Sequence, residues 1–207
     1  MKNSLDKIKK RLKGDTIFLY FLSILFLSLS ATSIYTIVKY SMFDVDKFEL
    51  RYVGDEDEKY YASFVNGEEM DYVNYNDVCN ISEEDIPRYI KASSISKEAQ
   101  NAVQGIFIGL IIMSIYMIFS EINKGNTPFQ NKSIRYLRIA AVLTICEAFV
   151  AFGIKILIMN TMLSSVSIYS RITPSDIFII AIGVFIGMIS EIFEYGCVLQ
   201  EDSDSIA

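Results

Sequence analysis

The sequence predicts a membrane all-α protein: a four-transmembrane-helix bundle with a small extracytoplasmic α+β insertion between helices one and two. Three observations predict it. Hydrophobic residues make up 52% of the 207-residue chain and gather into four long runs, whereas a soluble core would interleave them with polar residues. Basic residues crowd the N-terminus, where Lys2, Lys7, Lys9, Lys10, Arg11 and Lys13 face only Asp6 and Asp15. Between Asp44 and Glu98 fifteen acids stand against six bases, so charge is sorted by segment and the net value of −6 describes no single part.

Residues 1–15 read as a basic amphipathic cytoplasmic arm. Leu5, Ile8 and Leu12 share one helical face, which suits an anionic leaflet and calls for no nucleic acid. The first transmembrane helix occupies residues 16–40. Its core, Ile17 to Val38, has no charge, and about 20 apolar residues suffice to cross the hydrocarbon layer. Tyr35, Tyr40 and Phe43 sit at its far end as interface aromatics. A cleaved signal peptide is the rival reading, with Ser28-Leu29-Ser30 as small residues for cleavage, but the run continues well past them.

Residues 41–100 form the extracytoplasmic domain. Phe48 to Val53 alternates apolar and polar, and Lys59 to Val65 and Met70 to Val78 are rich in strand formers. Asp55 to Glu58 and Asn66-Gly67 read as the turns between them. Ser82-Glu83-Glu84-Asp85 is a capping box opening a short helix through Ile90. A core this small is marginal without disulfides and is expected to lean on the membrane helices or on a partner.

The remaining spans are residues 101–122, 138–160 and 176–196, joined by a cytoplasmic turn at 123–137 and an outer loop at 161–175. An acidic cytoplasmic tail follows at 197–207. Lys124, Lys132, Arg135 and Arg138 lie in or beside the turn, while the outer loop holds only Arg171. By the positive-inside rule the turn and both termini are cytoplasmic, in a multi-pass protein of the cell membrane. Thr173-Pro174-Ser175-Asp176 carries an N-cap, an N1 proline and an acid at the third position, which start the fourth helix. In the turn, Gly125 permits a reversal, Pro128 starts a new helix, and Phe129 dips into the inner leaflet or the bundle base. Arg135 and Arg138, at i and i+3, then face the headgroups. There they bind lipid phosphate or meet the tail acids Glu201, Asp202 and Asp204. The plainer alternative is a connecting loop with positive-inside arginines.

Two stretches carry a resemblance. Gly125-Asn126-Thr127-Pro128-Phe129 with Ile134-Arg135-Tyr136-Leu137-Arg138, and the ending Glu194-Tyr195-Gly196-Cys197-Val198-Leu199-Gln200-Glu201-Asp202-Ser203-Asp204, resemble the YoaS-like family of small bacterial membrane proteins. The likeness covers helices two to four. It implies four membrane helices, a turn motif at Gly125, Pro128, Phe129, Arg135 and Arg138, and a tail motif at Gly196, Leu199, Gln200, Glu201 and Asp202. Members carry a domain of unknown function and are often encoded beside a small helix-turn-helix regulator, which implies a cytoplasmic regulator as a partner. The resemblance supplies no reaction.

Glu147 is the first candidate for function. It lies roughly 12 Å into the third span, at a depth where an ionisable group costs about 2.5–3.5 kcal/mol to insert. Lys155, eight residues on, stands about 80° round the helix and ~12 Å along it, so the two do not pair directly. Glu147 either faces an inter-helix cavity, as in a transporter, or is a hydrogen-bonded carboxyl that holds helices together. Gly105 with Gly109 and Gly183 with Gly187 are GxxxG motifs at similar depth, a faint parallel repeat of two hairpins. They serve packing within the chain or contact in a homo-oligomer.

Chemistry is poorly supported. The chain has no histidine, no GxSxG, no P-loop and no dinucleotide fingerprint. Cys79, Cys146 and Cys197 form no CxxC, so no metal or cofactor is expected. Glu191 and Glu194 could pair for hydrolysis, although acids at a helix end are far more often simply solvated. The expected function is that of a non-enzymatic sensor, regulatory or immunity-type interaction protein. Its partners would be the lipid bilayer, a cytoplasmic regulator and an extracellular ligand or peptide. The alternative is a small oligomeric transporter or channel subunit that uses Glu147.

Overall fold

The computed structural model describes residues 2–53, 60–73, 78–79, 81–124, 129–163 and 174–206, with the backbone alone at 2–9, 60 and 204–206. It is mostly helical. Helix α1 is Lys2–Met42, a single 3-10 turn is Val45–Lys47, and strands β1, β2 and β3 are Phe48–Val53, Tyr60–Val65 and Glu68–Val73. Helices α2, α3 and α4 follow at Ile86–Asn123, Asn131–Met162 and Pro174–Ile206. The stretches Lys10–Met42, Ile86–Asn123, Asn131–Met162 and Pro174–Ser203 are each long and apolar enough to cross a membrane. Their exposed side chains include Phe18, Phe21, Leu157, Phe178 and Phe185. An exposed apolar surface on this scale suits lipid rather than water.

The chain divides into two units. The helical unit holds Met1–Ala31, Val103–Val150 and Ile172–Ala207, and the sheet-bearing unit holds Thr32–Ala102 and Ala151–Arg171. Helices α1, α2 and α3 each give residues to both.

In the sheet-bearing unit β1, β2 and β3 form an antiparallel meander, with Phe48 opposite Val65 and Val65 opposite Glu68. Asn66 and Gly67 close the β2–β3 hairpin with φ of 54° and 85°. Two positive φ values in a two-residue loop are what an Asn-Gly pair supplies and most residues resist. The turn expected at Asp55–Glu58 lies outside the described residues. One sheet face is buried, with Phe48 and Val65 packed beside Tyr40 of α1 and Ile90 and Ile95 of α2. Ile37, Leu50, Val73, Ile158 and Met162 close round them. The sheet thus draws its core from helices, as its small size demands. On the other face the Arg51 guanidinium lies 4.6 Å from the Phe64 ring and pairs with Glu49 at 2.6 Å.

Helices run through the segment boundaries of the sequence reading at three places. The basic arm and the first span are one helix, because Gly14 is a single helix-weakening residue inside a long run. The short helix after Ser82 does not stop at Ile90 but continues into the second span as α2. Ser82 still organises its start, donating to Asp85 Oδ2 at 2.8 Å. No glycine or proline falls between Ile90 and Ala102, and Ile90, Ile95, Ala99 and Ala102 are buried at helical spacing. The tail motif is helical too, since α4 runs to Ile206.

Lys91 pins the end of α1. Its ammonium donates to the Phe43 carbonyl at 2.6 Å and the Ser41 carbonyl at 3.4 Å, and it lies 5.7 Å from the Phe48 ring centre. A cation there satisfies orphan carbonyls and complements the negative helix end. Lys91→Met is expected to keep the aliphatic packing but lower thermal stability by about 1 kcal/mol. Lys91→Arg should recover most of that in the same melting experiment.

Candidate functional site

The helical unit is built from two hairpins of consecutive helices, and small residues set how closely each closes. In the α1–α2 pair a Cβ placed on Gly105 would stand 2.9 Å from Ser30 Cβ and 3.0 Å from the Phe26 carbonyl oxygen. One turn on, a Cβ on Gly109 would meet Leu27 at 3.0 Å. The Ser23 hydroxyl donates to the Gly109 carbonyl at 2.9 Å, across the same contact. In the α3–α4 pair a Cβ on Gly183 would meet Ile145 Cγ1 at 2.6 Å and the Ala141 carbonyl at 3.1 Å. Gly187 has room, with Ala141 Cβ 3.9 Å away. Each GxxxG thus sits on the second helix of its hairpin and faces the first.

These crossings fix the register of the charged helix ends. Arg138 of α3 donates to Glu194 Oε2 at 2.8 Å and Glu191 Oε1 at 3.2 Å, both on α4. The sequence offered lipid phosphate or Glu201, Asp202 and Asp204; among the described residues the Arg138 acids are Glu191 and Glu194, and the Asp204 side chain lies outside them. Arg135 is exposed and makes no ion pair or hydrogen bond among the described residues. A groove of about 410 Å³ runs beside it, lined by Asn131, Ile134, Arg138, Val142, Leu143 and Glu194 among others. Phe129 packs onto α4, with its ring 5.3 Å from Phe193 and so close to Gly196 that a Cβ there would stand 2.5 Å from Cδ1. Gly125 and Pro128 of the same motif lie outside the described residues. In the tail motif Leu199, Glu201 and Asp202 are exposed on α4 and Gln200 is half-buried.

A second charged cluster was not singled out from the sequence. Glu121, nearly buried at the end of α2, accepts from Lys124 at 2.8 Å and stands 3.7 Å from Lys132 of α3. The available signal was the i, i+3 spacing of Glu121 and Lys124. The bond to Glu121 raises the Lys124 pKa above its ordinary value. The ammonium therefore stays charged through neutral pH, and the contribution is lost only as pH rises through that raised value. Beside it Asn123 donates to Thr16 Oγ1 at 2.6 Å, tying α2 to α1.

Glu147 is 5% exposed and shares a buried face of α3 with Ala140, Ala141, Thr144 and Ala148. Thr144 does not serve it, because its hydroxyl donates back to the Ala140 carbonyl at 2.8 Å. Glu147 has no hydrogen bond or ion pair among the described residues. Lys155 is half-buried and belongs to the sheet-bearing unit. Cys146 is half-buried, Cys197 buried and Cys79 exposed.

No known protein family, characterised protein or solved structure matches the chain. Function is therefore argued from geometry. Glu191 and Glu194, the acid pair that the sequence offered for hydrolysis, are both engaged by Arg138. Arg138→Glu is expected to destabilise the α3–α4 pair by about 0.5–1 kcal/mol, the range for exposed pairs. Adding Glu194→Lys should restore part of it, as coupling in a double-mutant cycle. Urea unfolding in micelles reads the difference. Additive effects would show that the two residues are uncoupled.

Proposed function

We propose that the chain is a non-enzymatic multi-pass protein of the cell membrane that acts as a sensor, regulatory or immunity-type interaction protein, with both termini in the cytoplasm. One observation carries this reading. The helices that complete the sheet core through Tyr40, Ile90 and Ile158 are the same ones that form the crossings of the helical unit through Ser23, Gly105 and Ala141. A ligand or peptide held by the sheet outside the cell would alter the packing of helices that carry Arg135 to a cytoplasmic partner and, through Arg138, hold the helix that bears the acidic tail. The resemblance to the YoaS-like family supports a regulator in that role.

The test is genetic. Deleting the gene should change the transcripts controlled by a neighbouring regulator or the sensitivity to membrane-active peptides. The full chain should restore the wild-type state. A chain in which residues 44–85 are replaced by a short linker should not, although it reaches the membrane. No change on deletion in either readout would overturn the reading.

Glu147 supports a second reading, a small oligomeric transporter or channel subunit, because a nearly buried carboxyl without a described partner is costly in a membrane. Purified protein in liposomes should then pass a cation or proton flux that Glu147→Gln abolishes. Equal flux in empty liposomes and in those holding wild type would end it.

A further inference from the structure

The groove at the start of α3 has the charge pattern of a zwitterion. Arg138 is shared between Glu191 and Glu194, so that cluster of one base and two acids keeps one surplus negative charge. Arg135 lines the same groove and has no ion pair among the described residues, which leaves one surplus positive charge. The walls change character along the helix. Asn131, Arg135 and Arg138 come first, and Ile139, Val142 and Leu143 follow about 1.5–7.5 Å beyond Arg138 at ~1.5 Å per residue. Val142 and Ile139 are exposed to whatever fills the groove.

We infer that this groove binds one aminophospholipid from the leaflet that meets the α3 N-terminus. Its phosphate lies on Arg135, its primary ammonium on Glu194, which lines the groove and is joined to Glu191 through Arg138, and one acyl chain along Ile139, Val142 and Leu143. Arginine offers a forked set of donors that matches a phosphate. A carboxylate pair accepts hydrogen bonds that an ammonium can donate and a trimethylammonium cannot. The surplus acid repels a headgroup that carries only negative charge. The site stands apart from the sensor reading and holds whether or not a cytoplasmic regulator exists.

Native mass spectrometry of the full chain, with equimolar phosphatidylethanolamine, phosphatidylcholine and phosphatidylglycerol in the detergent, tests it. Phosphatidylethanolamine should be retained at least about fivefold over either competitor, since a difference near 1 kcal/mol gives that ratio. Arg135→Gln should cut its retention about tenfold, the loss of one charge-assisted contact. Glu191→Gln with Glu194→Gln should erase the preference over phosphatidylcholine and raise phosphatidylglycerol binding. The single change Glu191→Gln leaves Arg138 one acid and should weaken the preference without erasing it, a control against misfolding. Equal retention of all three lipids by wild type, tightest binding of phosphatidylglycerol, or no effect of Arg135→Gln would each overturn the proposal.

Discussion

Phe48→Ala is expected to unfold the sheet-bearing unit while the α1–α2 glycine crossing stays closed. Phe48 is the one large aromatic that is fully buried among the described residues. Its ring meets Tyr40 edge to face at 6.1 Å, and the buried cluster round it joins β1, β2, α1 and α2. Truncating a buried phenylalanine costs about 3–5 kcal/mol, through lost burial and the cavity left behind. A core this small has little reserve, because domain stabilities are only about 5–15 kcal/mol in all. Hydrogen exchange should therefore quicken across β1 to β3 and the first turns of α2. Amides between Gly105 and Gly109 should keep their protection. Uniform loss of protection along the chain would show that the two units do not unfold separately.

Gly105→Val is expected to part the α1–α2 pair. The first added carbon alone would stand 2.9 Å from Ser30 Cβ and 3.0 Å from the Phe26 carbonyl oxygen. One obstacle is backbone, so the helices themselves must separate. Overpacking of this kind costs about 1–3 kcal/mol. Separation also breaks the Ser23–Gly109 bond, and interhelical bonds in membranes average about 0.6 kcal/mol. The summed loss of about 1.6–3.6 kcal/mol is read by far-UV circular dichroism during denaturant titration in micelles. Gly187→Ala is the control. Its nearest neighbour is 3.9 Å away, and the better helix propensity of alanine should leave stability unchanged or raised by up to ~1 kcal/mol. Equal losses from both substitutions would mean that glycine acts here through backbone freedom and not through close approach.

Much of the fold was legible because it rests on local signals. Four long apolar runs gave four helices of spanning length, and alternation with Asn66-Gly67 gave the hairpin. Continuity of α2 was hidden because Ser82 to Asp85 is a strong start signal, while Ser93, Ser94 and Ser96 dilute the apolar pattern that follows. The period was present nonetheless in Ile90, Ile95, Ala99 and Ala102, and it outweighed the serines. The candidate sites were legible only in part. Glu147 stood out as a charge inside an apolar run, and the structure adds that it is nearly buried. That Arg138 meets Glu191 and Glu194 depends on how α3 and α4 cross, and no sequence interval encodes that register. Lys91 had no local sequence signal, since its partners are the Ser41 and Phe43 carbonyls, about fifty residues earlier.

The α1–α2 hairpin and the sheet core differ in when they can be completed during synthesis. The contacts of Gly105 and Gly109 with α1 need nothing beyond Asn123, so the first hairpin can close while α3 and α4 are still unmade. The sheet cannot be finished so early. Phe48, Val65 and Ile90 are joined in their core by Ile158 and Met162, which emerge roughly a hundred residues after the first strand. In the interval one wall of the sheet core stays open. A nascent chain stalled after α2 is thus left with a closed glycine crossing and an unsealed sheet, the form on which a chaperone or protease would act.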